Sequence, residues 1–267
     1  MKASWRINFL LLTAVIFVLS SCSGPSMRKV YETVLVPCSV SDLQGKLSYF
    51  GPANNLGPGT VFRRQGKGYG LAFRLQRLIA DQSERDGMIN ISNQGECEGS
   101  VSLKKNIAGK LGGESLGIEA NLSSELKRAE NISAEVSSFK WVDLEQSAFE
   151  NAVDQTDSGN PYKTELASGT RYVVTRALLV NGLVVSYQFS SAAAADVKAK
   201  YPDLNIDGAL GASWENDTTL KIRVTDEFYV AGEIRNYTET GIAAAGTRFG
   251  PQIDVPKDTP VYIDSEN

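Results

Sequence analysis

The run from Tyr172 to Phe189 constrains the fold of this chain more than any other stretch. Tyr172-Val173-Val174-Thr175-Arg176-Ala177-Leu178-Leu179-Val180 and Leu183-Val184-Val185-Ser186-Tyr187-Gln188-Phe189 are rich in β-branched and aromatic residues, which favour strands, and Asn181-Gly182 lies between them. Asn-Gly supplies the positive φ values of a type I′ turn, so the sequence predicts a two-residue β-hairpin. Arms this apolar on both faces belong at the centre of a sheet.

Period-two patterning recurs on either side. Apolar residues occupy Val101, Leu103, Ile107 and Leu111, then, beyond Gly112-Gly113, Leu116, Ile118, Ala120, Leu122 and Leu126. The change of parity across a Gly-Gly predicts a second hairpin with one buried face. Ile132, Ala134 and Val136 continue it, and Leu220, Ile222 and Val224 with Phe228, Val230 and Ile234 predict a third. Gly66-Lys67-Gly68-Tyr69-Gly70 follows a strand at Thr60 to Arg64; it lacks the spacing of a phosphate-cradling loop and is read as a hairpin turn. The segment Leu71 to Ile79 suits a short helix or a strand equally, and Pro260 to Ile263 predicts a last strand. Helices are expected from Asp143, with the face Leu144, Ala148, Phe149 and Ala152, and over Ala192 to Lys200, capped by Ser190-Ser191 and stopped at Pro202. The fold class is therefore α+β, mainly antiparallel sheet built of hairpins with two or three short helices. Gly109-Lys110-Leu111-Gly112 loosely parallels Gly208-Ala209-Leu210-Gly211, which is compatible with an internal duplication and with subdomains at about 34–160 and 161–267.

The N-terminus has a different character. A basic head (Lys2, Arg6), an apolar core from Phe9 to Leu19 and a small-residue end form the three regions of a secretory signal over residues 1–21. The core is too short to be a stable transmembrane helix. Its end, Leu19-Ser20-Ser21-Cys22, resembles the lipobox of bacterial lipoproteins. The resemblance implies cleavage before Cys22 and acylation of that residue, a membrane anchor in several acyl chains. With Ser23 after the cysteine, it also implies sorting to the outer membrane, facing the periplasm. Residues 22–33 would then be lipidated cysteine and tether, and 34–267 the body.

Composition narrows the chemistry of that body. The chain has no histidine, which removes Ser-His-Asp, Cys-His and histidine-bearing zinc sites. No cofactor or metal site is expected: the aspartates at 154–158 lack the calcium-loop spacing. Without residues 1–21 the chain has 25 basic and 31 acidic residues, a net charge of −6 with no basic run, which argues against nucleic acid and anionic headgroups as primary partners. Three cysteines are present; with Cys22 acylated, Cys38 and Cys97 remain, and an oxidising compartment pairs them in a disulfide. On the chain-entropy model such a loop contributes roughly 4 kcal/mol.

No catalytic motif emerges, so the expected function is non-enzymatic: an outer-membrane-anchored lipoprotein binding or assembling an envelope protein partner. Three alternatives stay open. They are an immunity lipoprotein against a periplasmic effector, a membrane-inserting protein using the alternating segments 101–126 and 216–236, and a carboxylate-based cell-wall glycosidase.

Overall fold

The computed structural model describes residues 25–253, apart from 41–42, 44–46, 54–55, 67, 113–115, 117, 169–170, 203, 205–209 and 243–246, together with residues 261–262. In chain order the elements are α1 (Met27–Val34), a 3-10 turn (Val36–Cys38), β1 (Ser48–Ala53), β2 (Val61–Gln65), β3 (Gly68–Phe73), α2 (Leu75–Leu78), α3 (Gln82–Gly87), β4 (Ile89–Glu96), β5 (Ser100–Ser102), α4 (Lys105–Lys110), α5 (Ala120–Leu126), β6 (Asn131–Glu135) and β7 (Ser138–Leu144). Then come α6 (Gln146–Gln155), α7 (Pro161–Ala167), β8 (Arg171–Asn181), β9 (Val184–Gln188), α8 (Ser191–Lys200), β10 (Leu210–Trp214), β11 (Thr219–Val224), β12 (Phe228–Ile242), β13 (Thr247–Gln252) and β14 (Val261–Tyr262). The fold is α+β and its sheets are mainly antiparallel, with β14 running parallel to β3. Helices are more numerous than the two or three expected.

Two sheets carry the body. In the larger, β12 and β8 are central; β1 and β13 flank β12, while β7 followed by β4, and β2 followed by β3 and β14, flank β8. The smaller has the order β10-β11-β9-β6-β5. The two edge strands beside β12 share the tripeptide Phe-Gly-Pro, Phe50-Gly51-Pro52 in β1 and Phe249-Gly250-Pro251 in β13. Proline offers no backbone N–H, so that edge of the sheet is blunted against further pairing.

Three sequence expectations give way here. β8 and β9 are not a hairpin: β8 lies in the larger sheet and β9 in the smaller, each between other strands. Gly182 does take a positive φ of 70°, but the chain uses it to turn a corner between sheets, and both arms are apolar because each is buried by its own neighbours. The second expected hairpin, 101–126, is mostly helical, holding the end of β5, then α4 and α5. Leu103, Ile107 and Leu111 are spaced by four residues, which satisfies a helical stripe as well as a strand of constant parity. The third expected hairpin, over 220–234, is divided between sheets: β11 pairs with β9 and β10 in the smaller and β12 with β8, β1 and β13 in the larger, so its two arms do not pair with each other. Of the two parallel tetrapeptides, Gly109-Lys110 ends α4 and Leu210-Gly211 opens β10, while Gly208-Ala209 lies outside the described residues.

Other local readings hold in detail. β2 and β3 pair across Gly66-Lys67. Ser190 caps α8, its side chain accepting from the Ala193 N–H; α7, with Asn160 as its cap through the Tyr162 N–H, is a helix the sequence pattern did not predict. The helix expected from Asp143 starts later, at α6, because Leu144 completes β7; Glu145 is its cap and Phe149, Ala152 and Val153 its buried face.

Candidate functional site

Four chain segments each pass between the larger sheet and the smaller and keep the same neighbours on both sides. They are Ile89–Ser102 (β4 into β5), Asn131–Leu144 (β6 into β7), Arg171–Gln188 (β8 into β9) and Thr219–Ile242 (β11 into β12). The larger sheet orders them β4-β7-β8-β12 and the smaller β5-β6-β9-β11. They are four continuous strands bent at one common corner.

Backbone pairing runs through that corner. The Cys97 N–H donates to the Ser137 carbonyl at 2.9 Å, the Ser137 N–H to Asn181 at 3.0 Å, and the Val224 N–H to Leu183 at 2.9 Å. The bend needs special backbone at Gly182 (φ 70°) and Gly99 (φ 85°). A Cβ on Gly182 would also meet the Ser137 hydroxyl at 2.1 Å, so only glycine fits there. One apolar cluster spans the corner, from Trp141, Leu178 and Phe228 on one sheet to Ile132, Val185 and Ile222 on the other.

The corner is also tied covalently. The structure joins Cys38 to Cys97, 59 residues apart, and so holds the end of the 3-10 turn to the bend of the outermost strand. Just before that turn, α1 bridges the two sheets: it packs on β1 of the larger and on α4, which covers the smaller, while the 3-10 turn lies beside β5. Val30, Tyr31 and Val34 of α1 are buried in the shared cluster. Burial first, and Glu32 of α1 second, push the neighbouring Tyr49 phenol up to about 12.

Charged groups stand on the larger sheet close to the corner. The Arg176 guanidinium lies 4.3 Å over the buried Trp141 ring, 3.2 Å from Asp143 on β7 and 3.7 Å from Glu233 on β12. It thereby couples the three central strands. A shallow depression with a cavity volume of about 10 Å³, room for about one water molecule, is lined by Lys105, Gly109, Ser123, Lys127 and Tyr187. Burial holds the Tyr187 phenol far above its usual range, so it stays protonated.

Among the described residues no group of three or more Cys, Asp or Glu side chains could hold a metal ion, and no helix is long and apolar enough to cross a membrane. The latter says nothing of strands. Of the residues singled out in the sequence, Cys38 and Cys97 are brought together, whereas Cys22 lies outside the described residues. The loop around 154–161 forms an ordinary Asx turn, Asp157 accepting from the Gly159 N–H at 2.9 Å. Sequence reasoning missed the corner itself, although alternation carried unbroken through residues 220–234 is its trace.

The architecture defines a class first: a two-sheet α+β body whose central strands are shared between sheets through a bend. The profile of the Bacterial Gasdermin Family matches residues 50–231, about two thirds of the sequence, and the chain belongs to that family. The solved structure of a bacterial gasdermin from Bradyrhizobium tropiciagri is similar over 82% of this chain and 92% of that chain, at 14% identity and a TM-score of 0.48. No curated protein matches.

Family membership corrects the functional expectation. The body does belong to a known family, and that family is not one of lipoproteins with a binding or assembly role at the outer membrane. The lipobox resemblance covered residues 1–22 only and could not describe a body with a fold of its own. The immunity, glycosidase and hairpin-insertion readings fare no better, the last because 101–126 is largely helical.

Proposed function

We propose that this chain is a pore-forming cell-death effector, and that it acts by straightening its four bent strands into one membrane-spanning sheet. The family match carries this reading, since it covers the first three bent strands and the start of the fourth. The geometry supports it independently. A transmembrane strand needs about 9–11 residues. Ile89–Ser102 and Asn131–Leu144 each have 14, Arg171–Gln188 has 18 and Thr219–Ile242 has 24.

Their side chains fit the same reading. In the outermost strand the odd positions Ile89, Ile91, Asn93, Gly95, Cys97, Gly99 and Val101 alternate in sequence with the polar residues Asn90, Ser92, Gln94, Glu96, Glu98, Ser100 and Ser102. In the bent state a register shift falls between Ile91 and Asn93, and Ile91 is exposed. In the last strand Leu220, Ile222 and Val224 alternate with polar residues before the bend, and Phe228, Val230 and Ile234 keep the same sequence parity after it. Apolar-out, polar-in alternation is what a transmembrane barrel strand requires. In the bent state Leu220, Ile222, Val224, Phe228 and Val230 are instead buried in the shared cluster, with Cys97 and Val101 of the outermost strand packed against it.

Straightened, the four strands form two hairpins. Residues 103–130, with α4 and α5, cap one, and residues 189–218, with α8 and β10, cap the other. Four strands cannot close a barrel, and an open sheet edge is not tolerated in hydrocarbon, so a pore needs several copies joined edge to edge. β4 supplies an edge without proline for that joining. The signal read over residues 1–21 and the Cys38–Cys97 disulfide support export of the body to an oxidising compartment, which we include in the proposal. Dye-loaded vesicles of phosphatidylethanolamine and phosphatidylglycerol test the activity. Release by the purified chain, with oligomers on the vesicles, is expected; intact vesicles under every activating condition would refute it.

A further inference from the structure

We propose that the Cys38–Cys97 disulfide is a redox latch on the bent state, holding the α1 strap across the corner until a dithiol reductant opens it. The inference rests on the pore-forming reading above and names a control on the same corner. Three observations carry it.

Cys97 is the corner residue of the outermost strand, its N–H paired to Ser137 where the strand leaves one sheet for the other. Its partner Cys38 ends the 3-10 turn directly after α1, the helix that bridges β1 on the larger sheet and α4 on the smaller. Straightening separates those two supports, so α1 must give up one of them. With the disulfide intact the strap is fastened beside the hinge, and any excursion of α1 starts from a tethered, high-concentration neighbour. Once the bond is broken, the strap keeps the burial of Val30, Tyr31, Val34 and Leu35 but loses its covalent fastening beside the hinge.

The chemistry is ordinary exchange. A thiolate of the dithiol attacks the sulfur of half-buried Cys97, the more open of the pair, forming a mixed disulfide and expelling Cys38 as a thiolate that takes up a proton. The reductant's second thiolate then attacks its own sulfur in the mixed disulfide, closing its ring and releasing Cys97. Two electrons pass to the protein; the reductant loses two thiols and the chain gains two. Exposed Glu96 and Glu98 flank Cys97, so a dithiol whose attacking thiolate is its only charge is preferred over a monothiol that carries further negative charge, most visibly at low salt.

The experiment compares the full chain, oxidised and after reduction by dithiothreitol, with the Cys38→Ser/Cys97→Ser double variant. Dye release is measured from the vesicles named above, and hydrogen exchange of the α1 amides in solution. Reduction and the double substitution are both expected to speed release, and to speed α1 exchange, by about tenfold or more, a small part of what cross-linking a loop this long can constrain. Exchange in β8 and β12 should not change. Equal release and equal α1 exchange in the oxidised and reduced chain would overturn the latch. Absence of release in every state would count against the pore reading alone. The exchange arm would then decide the latch: faster α1 exchange on reduction supports it and unchanged exchange refutes it. Because wild-type chain is reduced after folding, a folding defect in the double variant cannot mimic either result.

Discussion

The two ends of the larger sheet are held together in different ways. At the corner end the strands run on into a second sheet, and apolar helices cover the angle: α1, α4, α5 and α8 all contribute to one shared cluster. At the far end β12, β13, β8 and β2 stop within the sheet, and a separate cluster under α2, α6 and α7 fixes them. There Phe149, Tyr237 and Phe249 pack as an aromatic trio with centroids 5.2 to 5.7 Å apart. Arg248 on β13 grips Asp154 on α6 with two hydrogen bonds of 2.7 and 3.0 Å, and its backbone N–H donates to Glu150 at 2.7 Å. The difference suggests a division of labour. The far end is a fixed platform in which directional contacts join β13 to α6, whereas the helices at the corner end rest mainly on apolar burial that can be exchanged for lipid. Beside that burial stand the Cys38–Cys97 disulfide and the surface ion pairs of Arg128 with Asp196 and of Lys200 with Glu125, which join the end of α5 to α8.

Substitutions at the two ends should therefore have opposite effects on membrane activity. The largest effect on stability is expected from Phe149→Ala, since a fully buried ring at the centre of the trio is lost. About 3–5 kcal/mol should disappear from the unfolding free energy in denaturant titration, and dye release should fall with it. A smaller loss, more than about 1 kcal/mol, should follow from Gly182→Ala, because alanine is strained at the positive φ of the bend. A straight strand has no such requirement, so this variant should release dye faster than wild type while being less stable in solution. If both variants lose activity in proportion to stability, the division between the ends is wrong.

The smallest effect is expected from Asp154→Asn, at an exposed site. Hydrogen bonding from Arg248 holds the Asp154 carboxyl below its ordinary value of 3.8. A depressed carboxylate pKa contributes stability above that ordinary value and loses it as pH falls through the folded-state value. The gap in Tm between wild type and Asp154→Asn should thus be present at neutral pH and close on acidification below 3.8. A gap that stays constant with pH would remove the ion pair from the account of the platform.

Much of this fold was legible in local pattern. The cap at Ser190, the pairing of β2 with β3 and the alternation of Leu220 to Val224 all depend on neighbours within a few residues. The corner was not legible, because it depends on which strands flank each arm. Asn181-Gly182 has the composition of a hairpin turn, and only the pairing of β8 with β7 and β12, and of β9 with β6 and β11, shows that the chain changes sheets there. Likewise Leu103, Ile107 and Leu111 fit helix and strand alike, and the Gly112-Gly113 pair tipped the reading toward a hairpin that α4 and α5 replace. The functional error had a related cause. Cys22 and its signal speak of delivery, whereas activity lies in a geometry that no short motif marks.

The account stands or falls on whether the strands straighten. Nitroxide-bearing residues at the exposed positions Asn90 and Ser102, on either side of the Cys97 bend, would report it by pulsed electron resonance. Twelve residue steps of extended strand span about 40 Å. The prediction is a shorter separation for the chain in buffer and one near that length on leaking vesicles. A separation that does not change while the vesicles leak would contradict it.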